Sequence, residues 1–574
     1  MPLSSPPAPG SSGPRRQRLG GALRAAWRER QAGWLRADLL AGCVVGIVAV
    51  PLSMALAIAS GAPPEAGLYT AVVAGGLVAL LGGSRHQVSG PTAAFVVILA
   101  PIAAAHGLGG LALATILAGL ILIGLALLRL GQLIQFVPYP VTMGFTAGIA
   151  VVIATLQIEG FLHLEVDDLG SEAHFPERVL ALARALPTLR WGDAGIGALT
   201  LLVLGLWPRT KSRVPAALVA LVLAGVTAFA LEALGGVEVA TLASRFGTAE
   251  HPAGIPRTLP ALRLPWTATP DGELSFGLVR ALMPSAVAIA LLAAIESLLS
   301  AVVADGATGT QHDPDNELLA LGLGNIVSPF FGGLPATGAL ARTATNIRSG
   351  ARSPVAAVFH ALFVLGAILV LAPLLGRLPM SSLAALLLMV AWNMSEARHV
   401  LKALRQAPRN DALVLLTCFG LTVVFDMTVA VAVGLLLAAV LFMRRMVELT
   451  NVRLITDAHP EEHLHLPPGV QVYEIAGPLF FGAAHKATSA LRRMSPDVTA
   501  LVIDLAQVPT IDATGLFNLR SAIDRLKSRD VRVLLGGVRG ETRKAIERAP
   551  FAADVPAFAT VREAIVAATD TARS

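Results

Sequence analysis

The chain has 574 residues, of which 55% are hydrophobic and only 14% charged. Soluble globular proteins average about 25% charged residues, so this composition excludes a soluble enzyme or binding module and indicates an integral membrane protein. The formal charge is +6, but the cations alternate along the apolar segments, which argues against a nucleic-acid partner.

Residues 1–37 form a basic arm, with Arg15, Arg16, Arg18, Arg24, Arg28, Arg30 and Arg36 against a single Glu29. The arm has no apolar run of a cleavable signal peptide, and its Pro/Ser/Gly start reads as disordered. Residues 38–446 read as one membrane domain, long enough for on the order of 14 spans. The first seven are expected near 38–60, 68–83, 91–105, 110–130, 138–158, 193–208 and 214–234. A Pro/Gly-rich connection over 235–276 reads as an extended tether. The second seven are expected near 277–303, 317–331, 336–347, 353–374, 379–394, 411–426 and 428–446. An odd-numbered half followed by its copy must insert in the opposite sense, which makes this a 7+7 inverted repeat.

Loops after even-numbered spans carry Arg85, Arg129, Arg209, Lys211, Arg213, Arg348, Arg352, Arg398, Lys402, Arg405 and Arg409. The loop after span 5 carries Glu165, Asp167, Asp168, Glu172 and Glu177 instead. This positive-inside pattern places both termini in the cytoplasm. Asp305, Asp313 and Asp315 break it, yet the span count keeps their loop inside.

Cys43 and Cys418 lie in apolar spans and read as buried thiols, with no metal-ligand spacing. No cofactor is expected.

Beyond residue 450 strands and helices alternate, as in a small α/β domain. Strands are expected at Val470–Val472, Leu501–Leu505 and Val531–Leu535. Helices are expected over 485–493, from Ile511-Asp512-Ala513-Thr514-Gly515 to Lys527, and near 541–548 and 561–568. No phosphate loop or Cys/His cluster occurs there, so catalysis is not expected.

Two features carry function. Ser89-Gly90-Pro91-Thr92-Ala93-Ala94 and Leu334-Pro335-Ala336-Thr337-Gly338-Ala339 interrupt spans 3 and 10, in corresponding places of the two halves. Broken helices so placed point to a substrate site, and their N-termini contribute roughly half a positive charge each. Arg342 follows the second break, about 9 Å along a helix opening at residue 336, and makes the gap suited to an anion. The second feature is Glu296 in the middle of span 8, with Ser300 one turn on. An ionisable residue at that depth is a functional candidate. A carboxylate away from water favours its protonated form, and by linkage protonation then tightens anion binding. Proton–anion symport follows, with a sodium ion held by Glu296, Ser300 and carbonyl oxygens as the alternative. Asp38, Glu159, Glu317 and Asp426 fall near span ends and read as interfacial or capping groups.

At these residues the chain resembles the SulP (sulfate permease) family of anion transporters. The matching elements are Val50-Pro51-Leu52-Ser53-Met54-Ala55, Pro63-Pro64-Glu65-Ala66-Gly67-Leu68-Tyr69, Gly83-Ser84-Arg85-His86 with Gly90-Pro91-Thr92-Ala93-Ala94, Ile295-Glu296-Ser297-Leu298, and Gly332-Gly333-Leu334-Pro335-Ala336-Thr337. The 450–574 region resembles the STAS module that follows such transporters. The resemblance implies a uracil-transporter-like fold with a core of spans 1–4 and 8–11 and a gate of spans 5–7 and 12–14. It also implies a homodimer in the bacterial inner membrane and elevator transport. The anion is expected between spans 3 and 10, at Gly90, Pro91, Thr92, Ala93, Thr337, Gly338, Ala339, Leu340, Ala341 and Arg342, and beside Leu52 and Leu56. Leu52, Leu56 and Ala341 stand where relatives place a Gln, an aromatic residue and a Ser, which makes room for carbon-bearing anions.

The runs 45–60 and 88–99 are most similar to the bacterial C4-dicarboxylate branch, which implies succinate and fumarate as substrates. Sulfate or bicarbonate transport, and passive exchange or channel conduction, are the alternatives. In the STAS region Asp512 and Thr514 match a motif whose hydroxyl is phosphorylated in stand-alone relatives. They are the implied regulatory residues for a cytoplasmic protein partner, against plain helix capping.

Overall fold

The computed structural model describes residues 19–29, 32–134, 137–166, 175–210, 212, 214–268, 275–425, 427–456, 458–459, 464–480 and 497–572. Arg15, Arg16, Arg18, Arg30, Asp167, Asp168, Glu172, Lys211, Arg213, Asp426 and the helix expected over 485–493 lie outside them. The chain forms two compact units, residues 1–435 and 436–574, divided within the last span.

The chain is a helical membrane protein of fourteen spans in a 7+7 repeat. In the first half span 1 is Trp34–Ala59, span 2 Pro64–Leu81, span 5 Tyr139–Leu162, span 6 Trp191–Leu206 and span 7 Ala216–Gly235. Spans 3 and 4 share the helix Ala93–Leu127 and are separated by Gly107, whose φ of 67° with ψ of −176° breaks the helix and is open to glycine. In the second half the spans are 8 (Phe276–Thr308), 9 (Pro314–Val327), 10 (Leu340–Arg348), 11 (Val355–Leu375), 12 (Met380–Ser395), 13 (Arg409–Val424) and 14 (Met427–Leu449). Among the described residues ten helices are by themselves long and apolar enough to cross a bilayer.

Two helix groups result. Spans 8 and 9 pack on spans 3 and 4, span 9 also on span 2, and span 11 on spans 1 and 2. Separately, span 12 packs on spans 5 and 6, span 13 on span 5, and span 6 on span 7. Small residues permit the closest approaches. A Cβ on Gly67 of span 2 would lie 1.9 Å from the carbonyl oxygen of Ser53 in span 1. Gly67→Ala is therefore expected to destabilise the membrane unit by about 1–3 kcal/mol or more, read as a lower melting temperature of the purified protein.

Span 10 opens four residues later than expected. Thr337–Gly338 (β2) pairs antiparallel with Ser89–Gly90 (β1), Ser89 opposite Gly338 and Gly90 opposite Thr337. The break thus satisfies its backbone by a cross-half strand pair, and Arg342 falls in the first helical turn. The connection 235–276 is also more than a tether. It contains the helix Leu242–Phe246, and Leu242 and Ala243 donate backbone hydrogen bonds to Leu378 and Gly376. Further on, Arg263 N–H donates to Phe330 O at 2.6 Å. Its prolines mark a docked strap.

The acidic loop after span 8 is explained by backbone demand. Asp313 caps span 9 by accepting from Asn316 N–H, Asp315 accepts from Gly131 N–H at 3.1 Å, and Asp305 accepts from His312 N–H at 2.8 Å. Glu317 likewise accepts from Gly83 and Ser84 N–H at 2.8 and 3.0 Å, and Asp38 from Arg352 and Ser353 N–H.

In the C-terminal unit the sheet order is β3 (Asn451–Ile455), β4 (Val470–Ala476), β5 (Ala500–Gln507) and β6 (Arg532–Gly536). The last three are parallel, and β3 is antiparallel to β4. Leu501, Ile503 and Leu505 face the helix Ala513–Lys527, whereas Val502 and Leu534 face the helix Val561–Ala572. β3 is unannounced although Asn451-Val452-Arg453-Leu454 alternates, because the run is only five residues long and starts two residues after the helix of span 14 ends.

Candidate anion-binding site

Spans 3 and 10 are too short to cross a bilayer. Residues 93–106 and 340–348 give roughly 21 and 14 Å of helix at 1.5 Å per residue, against about 30 Å of hydrocarbon. Their N-termini flank the β1–β2 pair, so the helical N–H groups of both first turns and two positive dipole ends converge on it.

Span 8 holds both strands in place. Gln87 Nε2 donates to Ser297 Oγ at 2.6 Å, and Thr337 Oγ1 donates to Ala293 O at 2.8 Å. Asn325 of span 9 clamps the segment before span 10, with Ala336 N–H donating to its Oδ1 at 2.7 Å and its Nδ2 donating back to Ala336 O at 3.0 Å. Thr70 of span 2 does the same for Leu334. Irregular backbone at this depth is tolerated because such groups satisfy it.

Arg342 lies across the gap. Its side chain is buried, with Nη2 donating to Pro91 O at 2.9 Å and reaching Ser53 Oγ at 3.4 Å. Nε and Nη1 are buried and have no hydrogen-bond partner among the described residues. Gly90 makes room for it, since a Cβ there would stand 2.6 Å from Nη1. A buried guanidinium without a carboxylate partner costs stability, and a bound anion is the chemistry that offsets it.

Beside it, Thr92 Oγ1 donates to Glu296 Oε2 at 2.9 Å. Thr92 is the residue before span 3, so the candidate coupling carboxylate sits directly against the candidate anion site. The sequence pattern gave each residue separately, and the fold joins them.

Gly90, Pro91, Ala93, Thr337, Gly338 and Ala339 are buried in the strand pair and helix starts, while Leu340 and Ala341 are exposed on the first turn of span 10. Leu56 is buried and Leu52 half-buried on span 1. Thr337 is committed to Ala293, so it shapes the gap and offers no hydroxyl to it. Ser300 does not join Glu296, because its hydroxyl donates to Thr343 Oγ1 at 3.2 Å, and Thr343 Oγ1 also accepts from Val88 N–H. Glu296 and Ser300, the pair expected for sodium, thus have different hydrogen-bond partners among the described residues.

Ser53, Gln87, Ser297, Asn325 and Thr343 were not foreseen, although each is a polar residue in an apolar surround. The same holds for His360 of span 11, which is 1% exposed with neither ring nitrogen hydrogen-bonded to protein.

In the C-terminal unit Asp512 is the cap of the helix Ala513–Lys527, accepting from Gly515 N–H at 2.6 Å. Thr514 is exposed in its first turn and is not the cap.

A model of the sulfate permease family matches residues 35–418, and a STAS domain model matches residues 464–564. The chain is 40% identical to the putative sulfate transporter YvdB of Bacillus subtilis, over 89% of this chain and 93% of that protein. It is 31% identical to the bicarbonate transporter BicA of Picosynechococcus sp., over 91% and 92%. Among solved structures, the murine Slc26a9 anion transporter shares the fold with a TM-score of 0.82 at 18% identity, covering 96% of this chain and 94% of that one.

Proposed function

Because the chain belongs to the sulfate permease family and carries a C-terminal STAS domain, we propose that it is a secondary transporter of a small inorganic oxyanion, sulfate or bicarbonate, coupled to protons. The observation that carries this reading is Arg342, a buried cation with no carboxylate partner among the described residues, beside the N-termini of spans 3 and 10. A trigonal or tetrahedral oxyanion can take hydrogen bonds from a guanidinium edge and from helical N–H groups together. The names of the relatives favour sulfate or bicarbonate over the C4-dicarboxylates. Support for a dicarboxylate is limited to the apolar side chains of Leu52, Leu56 and Ala341.

Glu296 is the proposed proton site, since its carboxyl lies within span 8 and directly against Thr92 at the start of span 3. Spans 1–4 with 8–11 are the proposed moving core and spans 5–7 with 12–14 the gate, in a homodimer of the bacterial inner membrane with both termini cytoplasmic. The STAS domain, with Thr514 exposed, is the proposed regulatory part.

Uptake into proteoliposomes from a panel of sulfate, bicarbonate, succinate and fumarate tests this reading. Sulfate or bicarbonate should accumulate when only an inward proton gradient is supplied. Accumulation of succinate alone would move the assignment to dicarboxylates, and anion current without proton uptake would replace symport by a channel.

A further inference from the structure

Between spans 12 and 13 the chain forms a ten-residue helix, Ala397–Gln406, in which no residue is buried. A loop after an even-numbered span lies on the same face of the membrane unit as the start of span 1. Its turns sort the side chains by chemistry. Ala397, Val400 and Leu404 are half-buried, and the helix rests on span 5. Arg398, Lys402 and Arg405 are exposed on one side at i, i+4 and i+7, and Leu401, 56% exposed, borders them. None of these three cations makes an ion pair or side-chain hydrogen bond to a described residue. The other basic helix near this face contrasts with it. In Gly21–Arg28, Arg24 donates to the carbonyls of Gly20 and Leu19, and Ala22 and Ala26 are buried.

Trp392, 68% exposed, ends span 12 one turn before this helix, and Tyr139, 62% exposed, opens span 5. Aromatic residues of this kind mark the level of lipid headgroups. A short helix with one apolar edge and one cationic edge at that level lies in the interface.

We propose that Arg398, Lys402 and Arg405 bind the headgroups of anionic phospholipids in the leaflet on which this helix lies, with Leu401 set among the upper acyl carbons. The occupant is the bilayer itself: the chain spans it, the cations pair with no acid among the described residues, and anionic lipids complement them. Because the helix ties span 12 to span 13, the bound lipid fixes the level of that helix group. The inference does not depend on which anion is carried.

The test uses the full chain in neutral detergent, titrated with phosphatidylglycerol, phosphatidylcholine or water-soluble glycerol phosphate, with the melting temperature as readout. Phosphatidylglycerol should raise it, and the other two should not. In the Arg398→Gln/Lys402→Gln/Arg405→Gln variant the midpoint of the phosphatidylglycerol effect should move to roughly tenfold more lipid, three surface charges being screened by salt. Lys402→Gln alone should shift it in the same direction by less, and Arg398→Lys/Arg405→Lys should leave it in place. An unchanged midpoint in both Gln variants, an equal response to phosphatidylcholine, or an equal response to glycerol phosphate would overturn the proposal.

Discussion

Arg342→Gln is expected to abolish net oxyanion uptake while leaving the membrane unit at least as stable as the native one. Glutamine ends near the level of the arginine Nε, short of the 2.9 Å contact that Nη2 makes to Pro91 O, and it removes the charge and the Nε and Nη1 donors that no described residue engages. A hydrogen bond to a charged group is worth about 1.5–3 kcal/mol. Losing two would weaken anion binding by on the order of a hundredfold or more, at 1.4 kcal/mol per tenfold. Stability should move the other way, because burying an unpaired guanidinium is a cost that the variant no longer carries. Uptake and melting temperature together separate this from misfolding. Retained uptake, or lost uptake with a large fall in melting temperature, would mean that Arg342 holds the fold instead of the substrate.

Glu296→Gln is expected to flatten the pH profile of sulfate uptake. Sulfate stays a dianion across the relevant range, so a change in rate with pH then reports the protein. In the native protein, protonating Glu296 removes a negative charge next to the anion and so strengthens binding, and by linkage the bound anion strengthens protonation equally. Uptake should therefore be higher at acidic pH and fall as pH rises and Glu296 ionises. Glutamine has the shape of the protonated acid and keeps an acceptor for Thr92 Oγ1, which now donates to Oε2 at 2.9 Å. The variant should bind sulfate at alkaline pH as well as the native protein does at acidic pH, yet fail to concentrate it against a gradient. A native pH profile in the variant would remove Glu296 from the coupling step.

Much of the fold was legible because each half announces itself through hydropathy. Fourteen apolar stretches in a seven–gap–seven pattern, two of them broken at Gly-Pro and Pro-Ala-Thr-Gly segments, require an inverted repeat. The breaks also pointed to the candidate site, since unpaired helical N–H groups within a membrane domain have few other uses. Sequence periodicity could not show the strand pair that joins them. Ser89–Gly90 and Thr337–Gly338 are two residues each, and their partners are far apart in the chain. For that reason the expected start of span 10 was early and Arg342 was placed a turn too deep.

Spacing alone did not show the partner of Ser300. Positions i and i+4 share a helix face, so Glu296 and Ser300 read as one ion site, whereas in the fold the serine hydroxyl donates to Thr343 Oγ1. The acidic loop after span 8 looked like an exception to the charge rule because sequence shows charges and not the backbone donors they satisfy. Asp313 and Asp315 answer N–H groups at the ends of helices. The strap over 235–276 was misread for the same reason, its backbone bonds being made to Gly376, Leu378 and Phe330.

The location of the site can be tested without reference to coupling. With Cys43 and Cys418 replaced by alanine, the Ala341→Cys variant carries a single thiol on the exposed first turn of span 10. Its rate of alkylation by a small water-soluble reagent should fall in proportion to occupancy when sulfate or bicarbonate is added. The rate for Ser528→Cys in the same background, exposed in the C-terminal unit, should not change. Equal labelling of the Ala341→Cys thiol with and without either anion would contradict an anion site between spans 3 and 10.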